Sequence, residues 1–197
     1  LFYCIYSIIN EAARQAPFIE SLIPDSSQAD SIFLSSFTII EYLFFAYYLF
    51  HILKNRKFKV FLTLSSIVFL VVATLNLVRL LTTSAGNFDA IPISVGSIIL
   101  IIVSILYLFE AIQDPEIIFV YSKQSFWIII GIMIYFSGTF FLFLQYDSLT
   151  QDEKNSFWII SIICFVLKNI FFSISFTLKP ENQQPLHVDE LYLKNTE

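Results

Sequence analysis

The sequence predicts an all-α fold, a polytopic bundle of transmembrane helices, on three observations. Of its 197 residues, 57% are hydrophobic and only 14% are charged, whereas soluble domains have about 45–50% apolar and about 25% charged residues. The apolar residues form continuous runs, and a helix needs about 20 of them to cross a bilayer. The runs lack the strict alternation of a transmembrane β-barrel, so they favour helices.

Composition also excludes several classes of protein. A chain this short has too little interior to bury so much apolar surface in water, which excludes a water-soluble globule. Its two cysteines, Cys4 and Cys164, both lie in apolar runs, which excludes a disulfide-stabilised secreted scaffold. A formal charge of −5 gives no support for binding to nucleic acid. The lipid bilayer is therefore the first partner that the sequence predicts.

The chain opens on a partial apolar run, residues 1–9, followed by the polar residues Asn10 and Glu11. This run lacks the initiator Met and the positively charged start of a signal peptide, so we interpret it as the outer end of a helix. Five full spans are predicted after it, at residues 32–53, 60–82, 91–112, 126–146 and 157–178. At 1.5 Å per residue each can cross about 30 Å of hydrocarbon.

Short polar segments separate these spans. A basic turn at 54–59 (KNRKFK) follows the first full span, and residues 84–87 follow the second. Pro92 suits the first turn of the third span, and Asp114 ends it. The sequence thus predicts a membrane bundle over residues 1–178 and a flexible, polar tail over residues 179–197.

The basic residues indicate the orientation, because cytoplasmic loops carry an excess of Lys and Arg. Seven lie on one predicted side: Lys54, Arg56, Lys57, Lys59, Lys123, Lys179 and Lys194. Three lie on the other side, Arg14, Arg79 and Lys154, and Lys168 lies within a span. We therefore expect a multi-pass protein of the bacterial inner membrane with its C-terminal tail in the cytoplasm.

Four polar side chains inside the spans form the candidate functional cluster: Glu41, Asn76, Arg79 and Lys168. An ionised side chain at the centre of a span costs about 2.5–3.5 kcal/mol, so such residues mark functional sites by default. A seam of serines on the third full span, Ser94, Ser97 and Ser104, adds a further polar stripe. These stripes are expected to face one another rather than lipid.

Two of these residues, Glu41 and Lys168, lie at similar depths along their helices. Glu41 and Lys168 lie roughly 15 and 18 Å below the outer ends of their spans, which predicts an ion pair near the midplane. The alternatives are a purely structural pair or a Glu41 kept neutral. Arg79 either reaches Glu41 or extends to the outer surface, and Asn76 is either a ligand or a hydrogen-bonding contact between helices.

Motifs of catalysis are not recognisable in the chain, so we do not expect an enzyme, a cofactor or a metal centre. The two histidines, His51 and His187, belong to no cluster with metal-ligand spacing. No nucleophile elbow, phosphate-binding loop or dinucleotide fingerprint occurs in the sequence.

Two stretches carry a resemblance to a known family. They are SSFTIIEYLFFAYYLF at 35–50 and SFWIIIGIMIYFSG at 125–138. They resemble the hallmarks of an uncharacterised family of small membrane proteins from Bacteroidetes-type bacteria, with a Y-x-x-I-E-F/Y stretch and an F-W-I-x-x-G-I-L-I-Y-F-S-G helix. The resemblance implies about seven spans, with one more helix before residue 1. It also implies genes that resemble companions of sensor histidine kinases, and it assigns no catalytic residue.

Three functions remain open from the sequence. The first is a sensory or signalling-associated membrane module whose partner protein meets the turn 54–59 and the tail. The second is a small transporter or an ion- or proton-coupled permease that uses Glu41 and Lys168. The third is an accessory subunit of a larger membrane complex.

Labelling of single cysteines tests the predicted orientation. With an impermeant thiol reagent in intact cells, we expect Ser84→Cys to react and Asn182→Cys to react only after the membrane is opened, because the seven-positive side is cytoplasmic. Reaction of Asn182→Cys alone in intact cells would show that the topology is inverted.

Overall fold

The computed structural model describes residues 26–82, 90–114, 119–145 and 150–178, and in these ranges the chain is all-helical. The helices are α1 (Ser26–Ile52), α2 (Arg56–Thr82), α3 (Ile91–Gln113), α4 (Gln124–Gln145) and α5 (Gln151–Thr177), with a 3₁₀ turn at Val120–Ser122 before α4. The predicted partial run 1–9 and the predicted tail 179–197 lie outside the described residues.

Helix boundaries follow the predicted spans closely at most ends. Pro92 lies in the first turn of α3, where its missing N–H costs no helical hydrogen bond. By contrast, α5 begins six residues before its apolar run, because Thr150 and Glu153 form a reciprocal capping box. The side-chain and backbone hydrogen bonds from Thr150 also lower the pKa of the Glu153 carboxyl.

Four of the described helices are long and apolar enough to cross a membrane: α2, α3, α4 and the part of α5 from Ile159. Helix α1 is not among them, although it has 27 residues. It carries Glu41, His51 and three tyrosines, which lower its hydropathy. The predicted total of five full spans and a partial one is therefore not confirmed, whereas the all-helical fold with membrane-spanning candidates is.

Helix α3 lies at the centre of the bundle, in contact with α1, α2 and α4. Helix α5 packs on the far side of α4, and this pair has the most extensive contact in the structure. The core is formed by fully buried apolar side chains from four helices: Phe45, Leu49, Phe69, Leu100, Val103, Ile129 and Ile132.

Polar contacts show which helix ends lie at the same end of the bundle. The backbone N–H groups of Lys54 and Asn55 donate to the Glu110 carboxylate, and Lys54 Nζ lies 2.6 Å from Asp114 Oδ2. Gln124 at the start of α4 donates to the Leu178 carbonyl just after α5. Helices α1, α3 and α5 therefore finish at one end of the bundle, which we name the predicted cytoplasmic end. The opposite one is the predicted outer end.

Close packing of α4 on α5 depends on two glycines. A Cβ at Gly131 would lie 3.2 Å from the Lys168 carbonyl oxygen and from Phe171 Cβ. A Cβ at Gly138 would collide with Cys164 Sγ. These contacts explain the glycines at this interface, since small residues let helix backbones approach each other.

Substitution of the two glycines should have separable effects on stability. Gly131→Ala and Gly138→Ala should each destabilise by about 1–3 kcal/mol, because the added methyl overpacks the interface. Cys164→Ala should restore much of the loss in Gly138→Ala, since it removes the colliding sulfur. It should not rescue Gly131→Ala, whose methyl meets backbone.

The measurement is the midpoint of unfolding in an SDS titration of the purified, detergent-solubilised chain. Equal rescue of both glycine variants by Cys164→Ala would contradict the described packing.

Candidate functional site

An ion pair buried between α1 and α5 forms the centre of the candidate site. Lys168 Nζ lies 3.3 Å from Glu41 Oε1 and donates a hydrogen bond to it. Lys168 is fully buried and Glu41 is 5% exposed. The contact that the sequence predicts between these two residues is therefore present, although they are 127 positions apart in the chain.

The helix register explains why the two charges meet. Glu41 lies eleven residues before the end of α1, and Lys168 lies nine residues before the end of α5. Because both helices finish at the predicted cytoplasmic end, these separations place the charges roughly 16 and 14 Å from it. The two side chains therefore reach the same level of the bundle.

Three aromatic rings surround the ammonium group of Lys168, and we name them the aromatic cage. The centroid of the Tyr135 ring lies 3.6 Å from Lys168 Nζ, that of Phe165 4.7 Å and that of Phe45 5.7 Å. A cation is attracted to the face of an aromatic ring, and more strongly when both are dehydrated. The cage therefore offsets part of the cost of removing this ammonium group from water.

Tyr135 contacts both charges. Its ring lies against the ammonium group, and its side chain also lies close to the Glu41 carboxylate. The site is thus a triad from three helices, with Glu41 on α1, Tyr135 on α4 and Lys168 on α5. Tyr135 was not among the predicted site residues, although it lies eleven residues after the start of α4, at a depth similar to that of the pair.

A small cavity of about 50 Å³ adjoins Glu41 on the side of the predicted outer end. Its walls come from the middle of α1, the first two turns of α3 and the second half of α4. Its polar lining residues are Thr38, Glu41, Tyr42, Ser97, Tyr135 and Thr139. The Ser97 hydroxyl is fully buried and makes no hydrogen bond to any described residue.

The other two members of the predicted cluster are not joined to this pair by any described contact. Asn76 on α2 is 7% exposed, and neither atom of its amide has a hydrogen-bond partner among the described residues. Arg79 is exposed in the last turn of α2. Of the two predicted alternatives for Arg79, the structure favours extension to the surface over contact with Glu41.

The basic turn after α1 has a structural role that its sequence did not indicate. Glu110 accepts backbone hydrogen bonds from this turn, and Asp114 pairs with Lys54. Arg56 and Lys57 remain exposed on the same side. Glu110 and Asp114 at the end of α3 thus fix the position of part of the turn 54–59, which the sequence predicts to contact a protein partner.

The chemistry open to the triad is the gain or loss of one proton. With both groups ionised, the pair has no net charge. If the Glu41 carboxylate takes up a proton, an uncompensated ammonium group remains in a dehydrated environment. Removing the charge of one partner from a buried pair is destabilising, because it leaves the other charge uncompensated. One proton is therefore enough to weaken the contact between α1 and α5.

Neutralising one partner should be more harmful than neutralising both. Glu41→Gln or Lys168→Met alone should destabilise the bundle by about 3–5 kcal/mol, because each leaves a buried charge unpaired. The double variant should lose less stability than either single variant. The measurement is the SDS unfolding midpoint of the purified chain.

Ser173→Ala is the matched control on α5, since its exposed hydroxyl donates only to the Asn169 carbonyl of the same helix. It should change stability by less than about 0.5 kcal/mol. Additive losses in the double variant would show that the two charges do not stabilise each other.

Comparison of the chain with protein-family models, with curated proteins and with solved structures finds no match. The resemblance to a membrane-protein family of Bacteroidetes-type bacteria therefore stays a prediction from its two motifs.

Proposed function

We propose that this chain is a multi-pass protein of the bacterial inner membrane that acts as a sensory, signalling-associated module. In this proposal α1 is a fifth full span, the tail 179–197 is cytoplasmic, and the protein partner meets the turn 54–59. The single observation that carries the proposal is the buried ion pair between Glu41 and Lys168.

The placement of this pair supports a switch, in which the contact between α1 and α5 is either formed or weakened. Backbone packing between α1 and α5 is sparse, whereas α4 and α5 pack extensively. Side chains therefore supply most of the connection from α1 to α5, through the ion pair and the edge-to-face contact of Phe45 with Phe172. A two-state element of this kind responds to whatever binds one of its states better, a proton included.

A route from the pair to the predicted cytoplasmic end also exists. Helix α1 continues eleven residues past Glu41 without interruption. The turn that follows is held to α3 by Glu110 and Asp114. Because α1 leads directly into this turn, a displacement of α1 would move the exposed basic residues that a cytoplasmic partner would contact.

A second candidate, a proton-coupled transporter, has one specific observation in its favour. The cavity beside Glu41 brings space for one or two water molecules to the charged pair. Transporter sites lie near the midplane and typically involve interrupted helices. Helices α1, α3 and α4, which form the cavity, are each continuous, which favours the switch.

Fluorescence of a single tryptophan tests the switch. Trp127 stacks on Phe171 of α5, with ring centroids 5.9 Å apart, so its emission reports the contact of α4 with α5. In a Trp158→Phe background in proteoliposomes, acidification should change this emission reversibly. The Glu41→Gln/Lys168→Met double variant should show no such change, because it has no proton to gain.

Flux measurements on the same vesicles separate the two candidates. With a pH-sensitive dye inside, the switch predicts no proton flux above that of the double variant. Flux that depends on Glu41 would establish the transporter instead. A fluorescence response that persists in the double variant would remove the ion pair from the mechanism.

A further inference from the structure

The cavity next to Glu41 lies on one side of the ion pair only. Its lining residues on α1 lie between Leu34 and Tyr42, and those on α3 between Ile93 and Ser97. On α4 the lining extends from Tyr135 towards the end of the helix at Phe143. All three segments lead from Glu41 towards the predicted outer end.

The cavity has the size and the polarity that water requires. A volume of about 50 Å³ accommodates one or two water molecules, each of which occupies about 30 Å³ in the liquid. A buried water also needs two to four polar partners. The Glu41 carboxylate and the Ser97 hydroxyl line the space, and so do Thr38 and Thr139, whose hydroxyls donate to carbonyls of their own helices and still accept.

The unsatisfied hydroxyl of Ser97 indicates that the cavity holds a polar molecule. This hydroxyl is fully buried, lines the cavity and has no hydrogen-bond partner among the described residues. An unsatisfied buried hydroxyl costs about 1–3 kcal/mol. A water molecule in the cavity would remove that cost and would reach Glu41 from the same space.

Lys168 is enclosed differently. Its ammonium group lies among the rings of Phe45, Tyr135 and Phe165, and Lys168 does not line the cavity. The cavity therefore gives access to the carboxylate half of the pair and not to the ammonium half. A metal cation is a poor occupant, because the charge of Glu41 is already balanced by Lys168.

We propose that this cavity is a hydrated proton-access site through which Glu41 exchanges protons with the predicted outer side. In this step a hydronium ion transfers its proton to the Glu41 carboxylate, an O–H bond forms, and neutral water remains. Lys168 keeps its proton and loses its partner. The inference rests on the proposed function, because it names the ligand of the switch and the side from which it arrives.

The groups that face Glu41 come from each helix packed around it. They are Lys168 on α5, Tyr135 on α4 and Tyr42 on α1 itself, and Cys164 of α5 lies near Tyr135. Helix α3 contributes Ser97 to the cavity wall, and Tyr42 reaches Ser66 of α2 through its hydroxyl. Among these, Glu41 is the group that both lines the cavity and carries a negative charge.

Cysteine accessibility along one face of α3 tests the proposal. Ser94, Ser97 and Ser104 are all buried, and none of their hydroxyls has a described partner. Only Ser97 lines the cavity; Ser94 is nearer the predicted outer end and Ser104 is deeper. Each is replaced by Cys in a Cys4→Ala/Cys164→Ala background, and Ag⁺ is the probe because it is as small as a water molecule.

Silver is added to spheroplasts, which expose the outer face, or to inverted membrane vesicles, which expose the inner one. Protection against maleimide after denaturation measures its reaction. Ser97→Cys should react with Ag⁺ in spheroplasts roughly tenfold faster than either control, because a hydrated thiol ionises more readily than one in apolar surroundings. It should react slowly in inverted vesicles.

Two results would overturn the proposal. Rates that fall steadily from Ser94→Cys to Ser97→Cys to Ser104→Cys would show that depth alone controls access. Faster reaction of Ser97→Cys from the inner face would reverse the predicted direction. Gel filtration of each variant confirms that it is folded before labelling.

An infrared measurement on the chain with its native serines covers the case in which a cysteine variant fails to fold. Acidification of the outer side alone should produce a carboxylic C=O band that is missing in Glu41→Gln. Appearance of this band only on acidification of the inner side would refute outer access. If silver reaches Ser97→Cys but the emission of Trp127 does not respond to acidification, the hydrated cavity is supported and the switch is rejected. The two proposals can therefore fail separately.

Discussion

The ion pair between Glu41 and Lys168 is the constraint on which the rest of the bundle depends. Neither charge is stable alone in a dehydrated interior, so α1 and α5 must be in register at this level. The aromatic cage surrounds the ammonium group of the pair, and one of its rings, Tyr135, comes from a third helix, α4. The packing of α4 on α5 through Gly131 and Gly138 in turn holds that tyrosine against the lysine.

Much of this architecture could be predicted from the sequence because membrane proteins follow few rules. Continuous apolar runs predicted three helices to within a few residues at both ends, and the depth of Glu41 and Lys168 predicted their contact. Depth is a reliable guide here, because a helix rises 1.5 Å per residue and the bundle fixes where each helix ends.

What the sequence did not reveal depends on how helices rotate and pack. Tyr135 is one aromatic residue among 35, and its depth on α4 does not by itself show that its ring faces Lys168. Glu110 had no distinguishing signal in the sequence, but the turn at 53–55 folds back onto it. Asn76 and Arg79 share a helix with apolar residues on all sides, so their separation from Glu41 could not be derived from spacing alone.

The separation of 127 positions between the paired charges has a consequence for biosynthesis. Bacterial and other ribosomes add about 5–20 residues per second, so Glu41 is made roughly 6–25 s before Lys168. During that interval α1 has no partner for its carboxyl group at this level of the bundle. Helix α5 then supplies the ammonium group, so the site that begins on α1 is complete only after α5 has been made.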